Sequence, residues 1–304
     1  MDSVSLATAA SRRRWAQLGL FYAAAMWGAT FFVVKGALVA VDPFALVGWR
    51  FLLSAAILLA LLLWQRKPLL RHWPAGLLLG LVLGVLYVAQ TLGLFYTTAS
   101  NSGFITGLFI VFVPFMGWIA YRRAPRKRHL LAVVIAVAGL WLLTGGVKGA
   151  NAGDLITLFS SFTYALHVFL CERYVRRNYD LIVLTFQQVL VTAVIGLGCA
   201  LALGRPLEVQ TTGAAWTIVF LAVFPTLSAF MVQLVAQRIV DALETSLILT
   251  TEPVFAALFA WTLGGELLVP IRALGGLVIV VAMLVSELDW GRLFGQRRRA
   301  AAGG

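Results

Sequence analysis

A carboxylate and a proline stand side by side inside an apolar run that covers residues 243–263. The pair is Glu252 and Pro253, preceded by Thr250 and Thr251. A charge at the bilayer centre costs about 2.5–3.5 kcal/mol, and a proline inside a helix leaves a carbonyl one turn back unpaired. Both are tolerated where neighbouring helices or trapped water supply polar partners. Glu252 therefore marks either the wall of a polar cavity, where it would meet an ammonium group or a proton, or a structural kink with a neutral, hydrogen-bonded side chain.

Aromatic and polar side chains recur at helical spacing in other apolar runs, where they could complete the wall of such a cavity. In the run 73–96, for example, Tyr87 and Gln90 lie one turn apart. Aromatic rings would contact an apolar or aromatic group of a ligand, and amide, hydroxyl and imidazole groups would hydrogen-bond its polar groups. Packing between helices is the alternative for each. The candidates for the substrate cavity are Trp27, Phe31, Tyr87, Gln90, Thr106, Tyr164, His167 and Glu252.

Glu252 and His167 are also the candidates for coupling to protons. An imidazole titrates near physiological pH, so a histidine inside a membrane segment is a candidate for a proton relay. A structural, hydrogen-bonded histidine is the alternative. Because no second histidine is near in sequence, we predict no metal site, and the sequence offers no catalytic group and implies no cofactor.

Two basic residues and three prolines complete the set of unusual residues inside apolar runs. Lys35 and Arg50 lie within snorkelling reach of the predicted outer surface. They could form an external gate or attract an anionic group, and anchoring or pairing between helices is the alternative. Helix kinks are predicted at Pro114, Pro225 and Pro253.

The composition identifies the class of protein that must position these residues. Hydrophobic residues make up 61% of the 304 residues and charged residues only 12%, which is typical of a polytopic membrane protein and excludes a soluble domain. A helix needs about 20 apolar residues to cross a bilayer. Ten runs meet this requirement: 15–39, 44–65, 73–96, 101–121, 129–147, 154–174, 181–203, 213–237, 243–263 and 270–288.

The charge distribution predicts the topology. The formal net charge is +12, but the basic residues lie almost wholly in alternate loops. The positive-inside rule then predicts that both termini are cytoplasmic. The lipid bilayer, and not a nucleic acid, is therefore the expected partner of these charges. The run 15–39 is too long for the apolar part of a signal peptide, so it is predicted to be an uncleaved first helix.

The ten runs divide into two sets of five with a boundary near Gly149. Pro114 and Pro253 occupy matching positions, and Asp42 and Asp180 each follow a first helix. An odd number of helices per half makes the repeat inverted, an arrangement that marks secondary transporters with a binding site near mid-membrane. The predicted organisation is a cytoplasmic tail at 1–14, repeats at 15–148 and 149–290, and a basic cytoplasmic tail at 291–304.

The segments WGATF at 27–31, EPVFAALFAW at 252–261 and GGEL at 264–267 resemble the drug/metabolite transporter superfamily, in its EamA-type ten-helix branch. Within this branch the chain is similar to the YddG-type exporters of aromatic amino acids. The resemblance implies a transporter of the bacterial inner membrane that exports amino acids or related metabolites through a central cavity. Trp27 and Glu252 match positions of the family's motifs, whereas Val113 stands where a matching first half would have a glutamate.

The leading hypothesis is a secondary transporter, and not an enzyme, that exports amino acids, aromatic or neutral, by alternating access. An importer or facilitator for another metabolite, such as a nucleobase or a sugar-like compound, is the nearest alternative. An intramembrane lipid-modifying enzyme would need paired catalytic groups at the interface, and a channel would need a filter or ring pattern. The partner expected besides lipid is a small-molecule substrate, and the chain is expected to be a monomer, with a dimer as the alternative.

Overall fold

The computed structural model describes residues 3–122, 124–146, 149–175, 179–236, 239–240, 245 and 248–287. The regular structure in these residues is helical. The helices are α1 (Ser3–Ala37), α2 (Pro43–Trp64), α3 (Trp73–Tyr96), α4 (Ala99–Gly107), α5 (Phe109–Tyr121), α6 (Lys127–Thr144), α7 (Ala152–Val175), α8 (Leu181–Ala202), α9 (Thr212–Leu221), a π-helical segment (Ala222–Ser228), α10 (Ala229–Ala236), α11 (Glu252–Thr262) and α12 (Pro270–Glu287).

Eight segments of the described residues are long and apolar enough to cross a membrane, judged by length and composition. They are Ser11–Ala37, Pro43–Trp64, Trp73–Tyr96, Ala99–Ala120, Lys127–Thr144, Ala152–Cys171, Leu181–Ala202 and Thr212–Gln233. These segments correspond to the first eight predicted runs. A shorter apolar helix, Pro270–Ser286, corresponds to the tenth. The chain is thus an all-helical, multi-pass membrane protein, and the count of ten stays a prediction.

Three predicted segments need comment: the N-terminal tail, the ninth apolar run and the C-terminal tail. α1 begins at Ser3, so the stretch predicted as a tail is already helical from that residue onward. The ninth run was predicted to span 243–263, but α11 begins at Glu252. Residues 241–244 and 246–247, which precede α11, are not among those described. The predicted tail at 291–304 also lies outside the described part of the chain.

Helices of the first predicted repeat pack mainly on helices of the second. The second helix of each half forms one pair, α2 with α8, and the last helix of each half forms another, α6 with α12. Several other contacts are also equivalent in the two halves. The first helix of each half packs on the third helix of the other half, α7 on α3 and α1 on α10. It also packs on the fourth helix of the other half, α1 on α11 and α7 on α4 and α5. The candidate residues therefore come from both halves, and the helices that carry them pack across the boundary between the halves.

Close approach of α2 and α8 depends on a pair of glycines. A Cβ at Gly196 would lie 2.6 Å from the backbone nitrogen of Gly48 and 3.0 Å from the carbonyl oxygen of Phe44. Both are backbone atoms, so the helices would have to move apart. Small residues at such contacts are typical of helix packing in membranes.

This contact gives the first prediction. Gly196→Ala should lower the melting temperature of the purified protein, since overpacking costs about 1–3 kcal/mol. Gly198 lies on the same helix, and nothing stands within 4 Å of the position its Cβ would take. Gly198→Ala is therefore the matched control and should leave the melting temperature unchanged or raise it. Equal effects of the two variants in a thermal unfolding assay would contradict the packing.

Aspartates at matching positions start α2 and α8. Asp42 Oδ1 accepts a hydrogen bond from the Phe44 N–H at 2.9 Å, and Asp180 Oδ1 accepts from the Ile182 N–H at 3.0 Å. Partial burial alone would raise the pKa of Asp180, but the hydrogen bond from Lys67, whose Nζ lies 2.7 Å from Oδ2, and the backbone N–H groups lower it. Both caps occupy donors that a helix start leaves unpaired.

The helices that carry Pro114, Pro225 and Pro253 are interrupted in three different ways. The break between α4 and α5 falls at Leu108, ahead of Pro114, which lies inside α5. Pro225 lies inside the π-helical segment. Pro253 is among the first residues of α11, where a proline needs no N–H partner and starts a helix instead of kinking it.

Candidate functional site

The side chain of Glu252 is buried at the first turn of α11. It is 8% exposed, and no hydrogen bond or ion pair joins it to another residue of the described chain. Tyr87 of α3 and Tyr164 of α7, two tyrosines from different helices, are its electrostatic neighbours. The N-terminus of a helix carries a partial positive charge, which favours a carboxylate there.

Small residues hold α1 close to the start of α11. A Cβ at Gly28 would lie 2.8 Å from the carbonyl oxygen of Glu252 and 2.7 Å from the Cβ of Phe255. Trp27 and Phe31, on either side of Gly28 along α1, are both buried. These two candidate residues therefore lie inside the helix bundle.

Trp27 is bound to the π-helical segment. Its Nε1 donates to the carbonyl oxygen of Pro225 at 2.8 Å, and its ring lies 5.3 Å from that of Phe230. Pro225 has no N–H to offer the Leu221 carbonyl, and the Thr226 hydroxyl donates to that oxygen instead, at 2.8 Å. The disturbed backbone around Pro225 is thus satisfied by side chains, as a membrane interior requires.

Arg50 occupies the same region, and here the structure corrects an expectation. The sequence placed Arg50 within reach of the outer surface beside Lys35, but its side chain is only 5% exposed. Its Nε donates to Thr226 Oγ1 at 2.9 Å, and its guanidinium carbon lies 5.0 Å from the centre of the Tyr87 ring. The polar segment around Pro225 lies opposite this turn of α2, so the side chain points inward and does not reach the outer surface.

The polar face of α3 divides into two parts. Gly80 and Gly84 pack against Val191 and Ile195 of α8, so these glycines serve helix packing and do not line a cavity. Farther along, Tyr87 and Gln90 are half-buried. The Gln90 Nε2 lies 3.4 Å from Thr106 Oγ1 on α4, which brings these two candidates together.

Tyr164 and His167 lie one turn apart on α7 but belong to different contacts. The Tyr164 ring stacks on Phe109 at 4.1 Å. His167 is buried, its Nε2 lies 2.8 Å from Gln188 Oε1 on α8, and the Cys171 sulfur lies 3.6 Å from the same nitrogen. No contact joins His167 to Glu252 within the described residues, so the two candidates for proton coupling are not brought together.

At the predicted outer end, Lys35 forms part of a polar cluster. Its Nζ donates to the carbonyl oxygens of Leu94 at 2.8 Å and Thr97 at 2.7 Å, near the C-terminal end of α3. The carboxylate of Glu266 accepts hydrogen bonds from the Ala99 N–H and, at 2.6 Å, from the Ser100 hydroxyl, at the start of α4. The positive Lys35 lies at the C-terminal end of α3 and the negative Glu266 at the N-terminal end of α4, and each charge is favoured by the helix dipole there. Lys35 and Glu266 also attract each other.

Asp154 extends this cluster to α7. Its Oδ1 accepts from Thr97 Oγ1 at 2.5 Å and from Asn101 Nδ2 at 3.4 Å, and its side chain is buried. Asp154 and Glu266 were not among the candidate site residues. Each stands beside a predicted helix end, and Glu266 also belongs to the GGEL segment, but neither signal shows that the helix ends meet. We call Lys35, Thr97, Ser100, Asp154 and Glu266 the outer cluster.

A pocket of about 260 Å³ opens beside the outer cluster. The connection between α1 and α2, the end of α3 and the connection between α8 and α9 line it, including Asp42, Tyr96 and Glu208. None of the eight candidate cavity residues lines this pocket, so it is separate from the region around Glu252. Within the described residues, no three His, Cys, Asp or Glu side chains lie together as metal ligands would.

Known proteins resemble this chain over nearly its whole length. The model of the EamA-like transporter family matches it twice, at residues 14–145 and 151–287. An uncharacterized transporter of Archaeoglobus fulgidus is 32% identical over 91% of this chain and 87% of its own length. The uncharacterized inner membrane transporter YedA of Escherichia coli is 24% identical over 88% of this chain and 89% of its own. A solved crystal structure has the same fold, with a TM-score of 0.67 and 21% identity, and covers 91% of this chain and 98% of that one.

Proposed function

Since the chain belongs to the EamA-like transporter family and is a multi-pass protein of the inner membrane, we propose that it is a secondary transporter that works by alternating access around Glu252. The observation that carries this proposal is the environment of Glu252. Its buried carboxylate has no hydrogen-bond or ion-pair partner among the described residues, α1 packs closely on its backbone at Gly28, and Tyr87 of α3 and Tyr164 of α7 are its electrostatic neighbours. Such a group is costly in a membrane, and a solute or a proton that binds there gives it a function.

The pairing of the two halves supports alternating access. The family model matches each half separately, and α2 with α8 and α6 with α12 are pairs of equivalent helices from the two halves. Two inverted halves of similar fold can exchange conformations, which opens a site between them to one side of the membrane and then to the other. The ten-helix count, the inverted orientation and the cytoplasmic termini belong to this proposal.

The residues around Glu252 best fit a neutral or aromatic amino acid as the substrate. The proposed direction of transport is out of the cell. The rings of Trp27, Tyr87 and Tyr164 offer aromatic surface, and Glu252 offers a partner for an ammonium group. Gln90, Thr106 and Phe31 complete the proposed wall, whereas His167, held by Gln188, contributes at its edge. The resemblance to YddG-type exporters agrees with this substrate class.

The direct test compares the culture media of cells with and without the protein by untargeted metabolite analysis. We expect one or more neutral or aromatic amino acids to accumulate outside the cells that express it. Depletion of a nucleobase or a sugar-like compound from the medium would instead favour the importer. If the two media contain the same amino acids at the same concentrations, the result would contradict the proposed substrate and direction.

A further inference from the structure

Arg50 is a buried positive charge without a counter-ion. Its side chain is 5% exposed, and no ion pair joins it to a carboxylate in the part of the chain that the structure describes. Its neighbours are the Thr226 hydroxyl and the rings of Phe51 and Tyr87, at 5.2 and 5.0 Å from the guanidinium carbon. An unpaired buried charge is strongly unfavourable, so an anion is the partner that this position lacks.

The guanidinium is held in a fixed orientation. The Thr226 hydroxyl donates to the Leu221 carbonyl, so it is free only to accept, and Arg50 Nε is the donor it accepts from. This bond uses the inner nitrogen of the guanidinium. Tyr87 is a second hydrogen-bonding neighbour, but no carboxylate of the described residues pairs with the guanidinium. Two parallel N–H groups of an arginine match the two oxygens of a carboxylate.

A short series of contacts connects Arg50 with Glu252. Arg50 binds Thr226, the carbonyl of the adjacent Pro225 accepts from Trp27 of α1, and Gly28, next to Trp27, packs against the backbone of Glu252. One cation and one anion, neither of them in an ion pair within the described residues, therefore lie at the two ends of the same series of contacts. Since neither neutralises the other, a solute that carries both charges is the ligand that satisfies both.

We propose that Arg50 binds the carboxylate of the transported solute while Glu252 binds its ammonium group, so that the site selects zwitterions. The assignment rests on the proposed function and goes beyond it, because it names the two charged groups that a substrate must carry. If Arg50 instead only fastens α2 to the π-helical segment, its loss would affect every ligand alike.

Three probes that differ only in charged groups separate these roles: L-phenylalanine, phenethylamine, which lacks the carboxylate, and 3-phenylpropionate, which lacks the ammonium. Binding to the purified full chain in lipid nanodiscs is measured by calorimetry. Arg50→Gln should weaken binding of L-phenylalanine and of 3-phenylpropionate by about 30-fold or more, the loss expected when one partner of a buried charge pair is removed. Phenethylamine should bind within about twofold of the unchanged protein.

Arg50→Lys keeps the charge without the paired donors and should give an intermediate loss. Arg205→Gln removes an exposed arginine and is the matched control, expected to change none of the affinities. Unchanged phenethylamine binding by Arg50→Gln also shows that the variant is folded. Equal loss for all three probes, or no loss for any, would overturn the role of Arg50 while leaving the transporter proposal in place. An unchanged protein that binds none of the probes would overturn the proposed substrate class and this assignment with it.

Discussion

Transport by Glu252→Gln should no longer respond to a proton gradient. The substitution keeps the size and hydrogen-bonding shape of the side chain but removes its ability to release a proton. One pH unit corresponds to about 1.4 kcal/mol, so exchange of one proton per solute would give about tenfold accumulation. In proteoliposomes with an imposed gradient of one pH unit, and at a substrate concentration high enough to offset weaker binding by the variant, we expect this accumulation with the unchanged protein and simple equilibration with Glu252→Gln.

His167→Gln is the matched control, since the structure places His167 with Gln188 and Cys171 and not with Glu252. We expect His167→Gln to retain the response to the gradient. A response that persists in Glu252→Gln and disappears in His167→Gln would move proton coupling to α7. Glu252→Gln should also bind phenethylamine more weakly than the unchanged protein does, because the same carboxylate is proposed to bind the ammonium group of the solute.

Much of the fold follows from sequence because a bilayer leaves few choices. Apolar runs of about 20 residues must become helices, and eight of the predicted runs correspond to membrane-length helices. Asp42 and Asp180 start helices as their positions suggested. Glu252 and Trp27 are buried, which a cavity wall and close helix packing both require.

The parts that sequence could not supply depend on which helices become neighbours. Helical spacing puts Gly80, Gly84, Tyr87 and Gln90 on related faces. Only the positions of the neighbouring helices decide that the glycines pack on α8, that Tyr87 packs on Phe51 of α2 and that Gln90 approaches Thr106 of α4. Arg50 could snorkel outward as far as its own helix is concerned. Its inward direction depends on Thr226, which lies 176 residues farther along the chain. The cap that Glu266 provides for α4 depends in the same way on a distant segment.

Glu266→Gln should open the predicted outer end of the transporter. The carboxylate holds the start of α4, beside the end of α3 that Lys35 holds, so the outer cluster ties α1, α3, α4 and the connection before α12. A hydrogen bond to a charged group contributes about 1.5–3 kcal/mol. Its loss should shift the equilibrium toward the outward-open state by about 10- to 100-fold. Glu208→Gln makes the same chemical change at an exposed position of the same end and should have no such effect.

The side from which a thiol beside Tyr87 can be reached tests the central claim most directly. In a protein with Cys171 and Cys199 replaced by serine, Gln90→Cys places one thiol in the proposed pocket, and a membrane-impermeant maleimide is added to intact cells or to inverted vesicles. Alternating access predicts labelling from both sides, with Glu266→Gln raising the rate from outside and lowering it from inside. Labelling from neither side, or rates that Glu266→Gln leaves unchanged on both, would contradict a pocket that opens to each side in turn.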